Sequence, residues 1–128
     1  MSLSIITKII SRVPNQINII VGEDDNKTYV IESNDSKTFN IRAPWIGRQD
    51  EAWKAIRLVI DNGIKVDIIW IFQDYNSSNS NVMYCVGDEF QYKNEKTTHE
   101  IDGFNKDGGN KILLIVKTDD SKYNLRMI

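Results

Sequence analysis

One cysteine, Cys85, and one histidine, His99, are present in 128 residues. A single cysteine excludes an intrachain disulfide, and one cysteine with one histidine is poor material for a zinc centre. A reducing compartment is the simpler expectation for such a chain. Basic residues show no excess. Sixteen Lys and Arg stand against eighteen Asp and Glu, a formal net charge of -2, with both signs scattered along the chain. The basic field of a nucleic-acid binder is missing, so no nucleic-acid partner is expected. No apolar run approaches the roughly 20 residues of a membrane-spanning helix. The N-terminal segment is broken by Lys8 and has no small-residue cleavage site, so it reads as mature protein. The expected location is cytoplasmic, or outside the cell by release without a classical signal peptide. No phosphate-binding loop is present either. Gly103, Gly108 and Gly109 lack the strand-turn-helix setting, and no Gly-Lys-Ser follows them. Asn76, Ser77 and Ser78 form a glycosylation sequon, which reads as chance in a polar loop.

What is present is β-branched sequence cut by polar turns. Strands are expected at residues 3–10, 17–21, 28–31, 38–41, 64–72, 82–86, 111–116 and 123–127, and a short strand at Phe90 and Tyr92. Thr7 and Lys8 interrupt the alternation of the first segment, which suggests a bulge. The last two segments form a C-terminal hairpin across a turn at 119–121. Turns recur about every ten residues, a spacing that favours an antiparallel sandwich over an alternating α/β fold. The fold expected is all-β, a two-sheet antiparallel β-sandwich of about eight short strands, forming a single domain over residues 1–128.

Residues 53–72 are the most apolar stretch, centred on Asp61, Asn62 and Gly63. Asn-Gly between apolar runs is a hairpin signal. A three-residue loop with Gly63 in the left-handed conformation sets Ile60 opposite Ile64, Leu58 opposite Val66, Arg57 opposite Asp67 and Ile56 opposite Ile68. A rival reading makes residues 50–61 a helix, with Asn62 and Gly63 at its C-cap, and gives an α+β fold. Residues 42–52 break the strand pattern through Pro44 and Gly47, and this segment suits a crossing between the sheets.

Candidate sites follow from what the strands leave over. Trp70 is claimed for the core with Ile68 and Phe72. Trp45 and Tyr75 lie instead in polar, loop-like segments. An exposed aromatic beside amides and carboxylates suits a sugar ring, which stacks on the aromatic face while the polar groups meet its hydroxyls. The leading function is therefore a non-catalytic, lectin-like binding module for a glycan or cell-surface ligand. Its ligand-binding residues would be Trp45, Asp74, Tyr75, Asn76 and Asn79. A core-capping Trp45 is the bland alternative.

Two other classes compete. A membrane-active or self-assembling, toxin-like β-sandwich would use Trp45, Ile46 and Tyr75 as interfacial anchors. A small enzyme would use Cys85 with His99, or a carboxylate pair such as Asp67 and Asp74. A free cysteine between Tyr84 and Val86 on an apolar strand is otherwise a buried, inert residue. Hard oxygen ligands collect at Asp24, Asp25 and Asn26, and again at Asp102, Asn105 and Asp107. The second group is the candidate metal site and calcium the cofactor it would suit, although the EF-hand spacing is not met. A homo-oligomer is compatible with the sequence.

Overall fold

The computed structural model describes residues 2–77, 79–119 and 122–128. The first strand, β1 (Ser4–Arg12), shows why local sequence matters. Ile6 and Ile9 are both buried although they are three residues apart, and a regular strand would send them to opposite faces. The pairing register shifts between Ile6 and Lys8 on both sides of β1. The expected bulge at Thr7 thus restores both isoleucines to one face.

The chain continues through β2 (Ile17–Val21), a short 3-10 turn at Gly22–Asp24, β3 (Lys27–Ile31), β4 (Ser36–Arg42) and the two-residue β5 (Trp45–Ile46). A 3-10 helix at Gln49–Lys54 precedes β6 (Ile56–Asp61) and β7 (Val66–Asp74). Then come β8 (Val82–Val86), β9 (Thr98–Glu100), β10 (Asp102–Gly103), β11 (Gly109–Asp119) and β12 (Lys122–Met127). One sheet has the order β10-β12-β11-β1-β4. The other has the order β3-β2-β6-β7-β8-β9, with β5 added beside β7. The segment after β4 makes the expected crossing, leaving one sheet and joining the other at β5.

The sheets are mixed rather than purely antiparallel. β1 runs parallel to β11, β10 parallel to β12 and β5 parallel to β7. The first pairing is a closure between chain ends, which no local turn signal announces. The C-terminal hairpin is present as the antiparallel pair β11 and β12. Part of its turn, at residues 120 and 121, lies outside the described residues, as do Ser78 of the sequon and Met1. Phe90 and Tyr92 do not form a strand. They belong to an irregular segment between β8 and β9.

Isoleucine dominates the space between the sheets. Ile6, Ile17, Ile19, Ile56, Ile60, Ile69 and Ile71 are all fully buried in one cluster, joined by Leu58, Leu113, Ile115 and Leu125. Each such side chain contributes about 1.5–3 kcal/mol by leaving water. β-Branched side chains also suit a pleated surface, so propensity and burial agree here.

The central hairpin departs from its expected register. Ile60 pairs with Asp67, Leu58 with Ile69 and Ile56 with Ile71. The loop is longer, at residues 62–65, and its own side chains hold it. Asn62 Oδ1 accepts hydrogen bonds from the Ile64 and Lys65 amides at 2.9 Å each, and Asp61 Oδ1 accepts from the Gly63 amide at 2.8 Å. Gly63 does take a positive φ, 89°. The partner of Ile60 moves from residue 64 to residue 67, an odd displacement, and an odd displacement exchanges the faces of a strand. Asp67, Ile69, Ile71 and Gln73 therefore point inward, while Trp70, Phe72 and Asp74 point outward. The rival α-helix over 50–61 is absent too. Its first turn is the 3-10 helix Gln49–Lys54, and its remainder is β6.

The outward face of β7 is covered in turn. Phe72, Cys85, Ile46, Ala55 and Phe90 form a second, smaller core, with Trp70, Met83 and Tyr92 packed against it. Phe90 lies edge-on to Phe72, with ring centroids 5.1 Å apart. Trp70 is half-buried at this margin rather than central to the main core. Its indole N–H donates to the Gly87 carbonyl at 2.8 Å.

Candidate functional site

β7 ends in two buried polar residues, and they organise the neighbouring loops. Gln73 points inward. Its Oε1 accepts from the Ser4 amide at 3.2 Å, and its Nε2 donates to the Ser80 carbonyl at 2.9 Å. Asp74 points outward and is buried. Its Oδ1 accepts from Tyr92 Oη at 2.8 Å and from the Asn76 amide at 3.0 Å, while its Oδ2 pairs with Lys93 Nζ at 3.0 Å. This carboxylate holds the Lys93 ammonium above the ordinary lysine range. Burial, more than any one neighbour, pushes the Tyr92 phenol up, and the Asp74 charge adds to it.

Asn76 extends the network. Its Nδ2 donates to the Gly47 carbonyl at 3.1 Å and to Tyr92 Oη at 2.8 Å. The Gly47 amide donates to Glu51 Oε1 at 2.9 Å, and Lys54 Nζ donates to Glu51 Oε2 at 2.6 Å. The lysine bond, followed by the Gly47 amide, lowers the Glu51 carboxyl below its usual range. Gly47 is there for space. A Cβ at this position would come within 3.1 Å of Tyr75 Cβ. The turn at 74–76 is thereby fastened to the segment after β5.

Two clefts lie on either side of this turn. One, about 380 Å3, is lined by Trp45, Tyr75, Asn76, Arg48, Glu51 and Lys54. Its aromatic wall is an edge-on pair, with Trp45 and Tyr75 centroids 6.3 Å apart and ring planes at 87°. β5 explains the position of Trp45. Two-residue alternation buries Ile46 in the second core and turns Trp45 the other way. Trp45 is packed into neither core cluster. The other cleft, about 500 Å3, is polar, with Asp74, Asn79, Asn81, Lys93, Glu95 and Glu100 on its walls.

Of the five residues expected to bind ligand, Trp45, Tyr75 and Asn76 share the first cleft, and Asp74 and Asn79 line the second. Sequence reasoning missed Tyr92, Lys93, Glu100, Glu51 and Lys54. No local motif marks them, because they reach the site only through the fold. The toxin-like anchor set loses Ile46, which is fully buried.

The catalytic alternatives are not assembled. Tyr84 pairs with His99 and Cys85 with Thr98, so Cys85 and His99 project from opposite faces of the sheet. Cys85 is buried, and burial pushes its thiol up, away from the reactive thiolate. Asp67 and Asp74 also face opposite ways. Seven residues of strand separate them by roughly 23 Å at about 3.3 Å per residue, well beyond a glycosidase pair.

At the expected calcium loop, Asn105 is buried while Asp102 and Asp107 are exposed. Among the described residues no three of His, Cys, Asp and Glu converge as metal ligands. A cation of the protein's own sits at this loop. Lys111 is fully buried, donates from Nζ to the Lys106 carbonyl at 2.8 Å, and lies 3.8 Å from the centroid of Phe104. Burial lowers its pKa. Among the described residues no helix is long and apolar enough to cross a membrane. In comparisons with known proteins, no family model, no curated protein and no solved structure matches this chain.

Proposed function

We propose that this β-sandwich is a non-catalytic binding module and that a glycan docks in the cleft beside Trp45 and Tyr75. One observation carries the reading. Trp45 is held by the β5 ladder with its ring outside both cores, and it meets Tyr75 edge-on above Asn76, Arg48 and Glu51. Tyr75 is 53% exposed. The aromatic faces supply stacking area, and the surrounding amide, carboxylate and guanidinium supply acceptors and donors for hydroxyls. Hydrogen bonds of Asn76 to Asp74 and to the Gly47 carbonyl join the 74–76 turn to the segment after β5, and a wall formed before the ligand arrives lowers the ordering cost of binding.

A glycan-array screen of wild type and Trp45→Ala, read beside their urea midpoints, tests the reading. Binding by wild type that weakens by about 1–3 kcal/mol in the variant, with the midpoint little changed, supports it. Absence of wild-type binding together with a large fall in the variant's midpoint rejects it.

A second reading is favoured by the hairpin tip, where Ile64 is 93% exposed and Val66 is exposed beside it. A protruding apolar tip suits insertion at a membrane interface. Sedimentation with liposomes that is lost in Ile64→Ser supports that reading, and no sedimentation of wild type removes it.

A further inference from the structure

The 3-10 helix Gln49–Lys54 divides two clefts. Side chains three residues apart line up on one side of a 3-10 helix. Glu51 and Lys54 have that spacing, and with Arg48 just before them they line the cleft of Trp45 and Tyr75. Ala52 and Trp53 take the other side and line a cleft of about 310 Å3 with Gly22, Asn26, Arg57 and Trp70. Trp53 is 63% exposed, whereas tryptophan is highly buried on average. Its backbone is nevertheless pinned. The Gly22 amide donates to the Ala55 carbonyl at 3.2 Å, and a Cβ on Gly22 would collide with the Trp53 carbonyl oxygen.

Arg57 gives this second cleft its charge. Register sets it opposite Trp70 on the outer face of the sheet, and its guanidinium carbon lies 5.9 Å from the Trp70 ring centroid. Its Nη2 donates to Asn26 Oδ1 at 2.9 Å. Among the described residues no carboxylate lies within ion-pair distance of Arg57, and none lines the cleft. A guanidinium presents five donors in a planar fork that matches a carboxylate, and an exposed indole presents a face that matches a sugar ring. We propose that this cleft is a second glycan subsite that takes an acidic sugar, with the ring against Trp53 and its carboxylate on Arg57. This deepens the glycan reading and rests on it. One oligosaccharide crossing the 3-10 helix would set one ring against Trp45 and Tyr75 and an acidic ring against Trp53. Its path passes Lys54, which lines the first cleft and holds Nζ 5.6 Å from the Trp53 ring centroid. The ligand class becomes oligosaccharides that carry a carboxylate, from a uronic or a sialic acid.

The test uses two acidic probes, a tetramer of galacturonic acid and 3′-sialyllactose, each beside its uncharged methyl ester. Each is titrated into the isotope-labelled full chain, and the tryptophan indole and arginine Nε signals are followed by NMR at low salt. The expected result is saturable movement of the Trp53 and Arg57 signals with at least one of the acids, and the acid that moves them names the source of the carboxylate. Its affinity should exceed that of its ester by about tenfold or more, the scale of one charge-assisted contact, and the preference should shrink with added salt. Arg57→Gln should abolish the preference, and Arg57→Lys should keep only part of it, because the charge stays and the fork is lost. Trp53→Ala, at an exposed position, should weaken both acid and ester while the urea midpoint holds. Equal affinity for acid and ester, or a preference that survives Arg57→Gln, overturns the acidic subsite. Movement of the Trp45 indole with no response at Trp53 also overturns it and leaves the Trp45 cleft standing. Movement at Trp53 and Arg57 with no response at Trp45 retains the acidic cleft and rejects the Trp45 site. No response at either tryptophan rejects both.

Discussion

Tyr123 Oη donates a hydrogen bond to Asp67 Oδ2 at 2.6 Å, across the gap between the two sheets. Tyr123 lies on β12 of one sheet and Asp67 on β7 of the other, and both are buried. The bond exists because of the register of the central hairpin. With Ile60 opposite Ile64, Asp67 would point to the outer face and Tyr123 would have no carboxylate to meet. A buried carboxylate needs donors, and Tyr123 supplies one, with Lys65 Nζ at 3.9 Å.

Removal of that hydroxyl should be felt in stability. Tyr123→Phe should lower the unfolding free energy by about 1–3 kcal/mol, the cost of taking a hydrogen bond from a buried charged acceptor. A double-mutant cycle with Asp67→Asn, followed by urea denaturation, measures the coupling. Additive effects would mean that the bond contributes nothing of its own.

The same pair sets a response to alkali. Burial first, and then the Asp67 bond and charge, push the Tyr123 phenol well above the ordinary tyrosine range. The folded pKa is raised, so the folded state holds this proton more tightly than the unfolded chain. Stability from this source is complete below the unfolded tyrosine pKa of about 10 and is lost as pH rises through the folded value. Tyrosinate absorbance should therefore show a last component that appears only with unfolding. In Tyr123→Phe that component should vanish, and a late step that persists would place it on another tyrosine.

The hairpin tip separates backbone from side-chain effects. Ile64→Ser should change stability by less than about 0.5 kcal/mol, as expected for a substitution on an exposed surface. Gly63→Ala should cost about 1 kcal/mol, because φ is 89° and alanine is disfavoured there even though the space around it is open. Thermal or urea midpoints of the two variants decide this, and the opposite order would contradict the observed loop.

Trp45 and Phe72 provide the matching contrast at the candidate site. Phe72→Ala, in the second core, should cost about 3–5 kcal/mol. Trp45→Ala should cost about 1 kcal/mol, the scale of the edge-on contact with Tyr75. Equal losses in urea would make Trp45 a core residue and undercut its assignment to a ligand.

Cys85 should react slowly with a thiol reagent in the native protein and quickly once urea unfolds it. Its place beside Phe72 and Phe90 and its raised pKa both slow attack. Rapid stoichiometric labelling of folded protein at neutral pH would contradict this burial.

Local sequence was enough for much of the strand set. The bulge at Thr7, the C-terminal hairpin, the buried Cys85 and the positive φ of Gly63 all follow from short-range steric and hydrophobic patterns, which act over a few residues and so can be read along the chain. Trp45 and Tyr75 could be singled out together for a related reason, since strand periodicity claimed neither for the core, whereas Asp74 and Asn79, expected beside them, line the other cleft. Other features depended on contacts between distant segments. The parallel pairing of β1 with β11 joins the two ends of the chain. The hairpin register was settled by what each face of β7 meets, with Tyr123 waiting for Asp67 on one side and Phe90 covering Phe72 on the other. Lys93 reaches Asp74, and Glu100 reaches Asn81, only after β8 and β9 have folded back along β7. Polar groups find such partners through tertiary geometry, because hydrogen bonds and ion pairs are set by distance in space and carry no period in sequence.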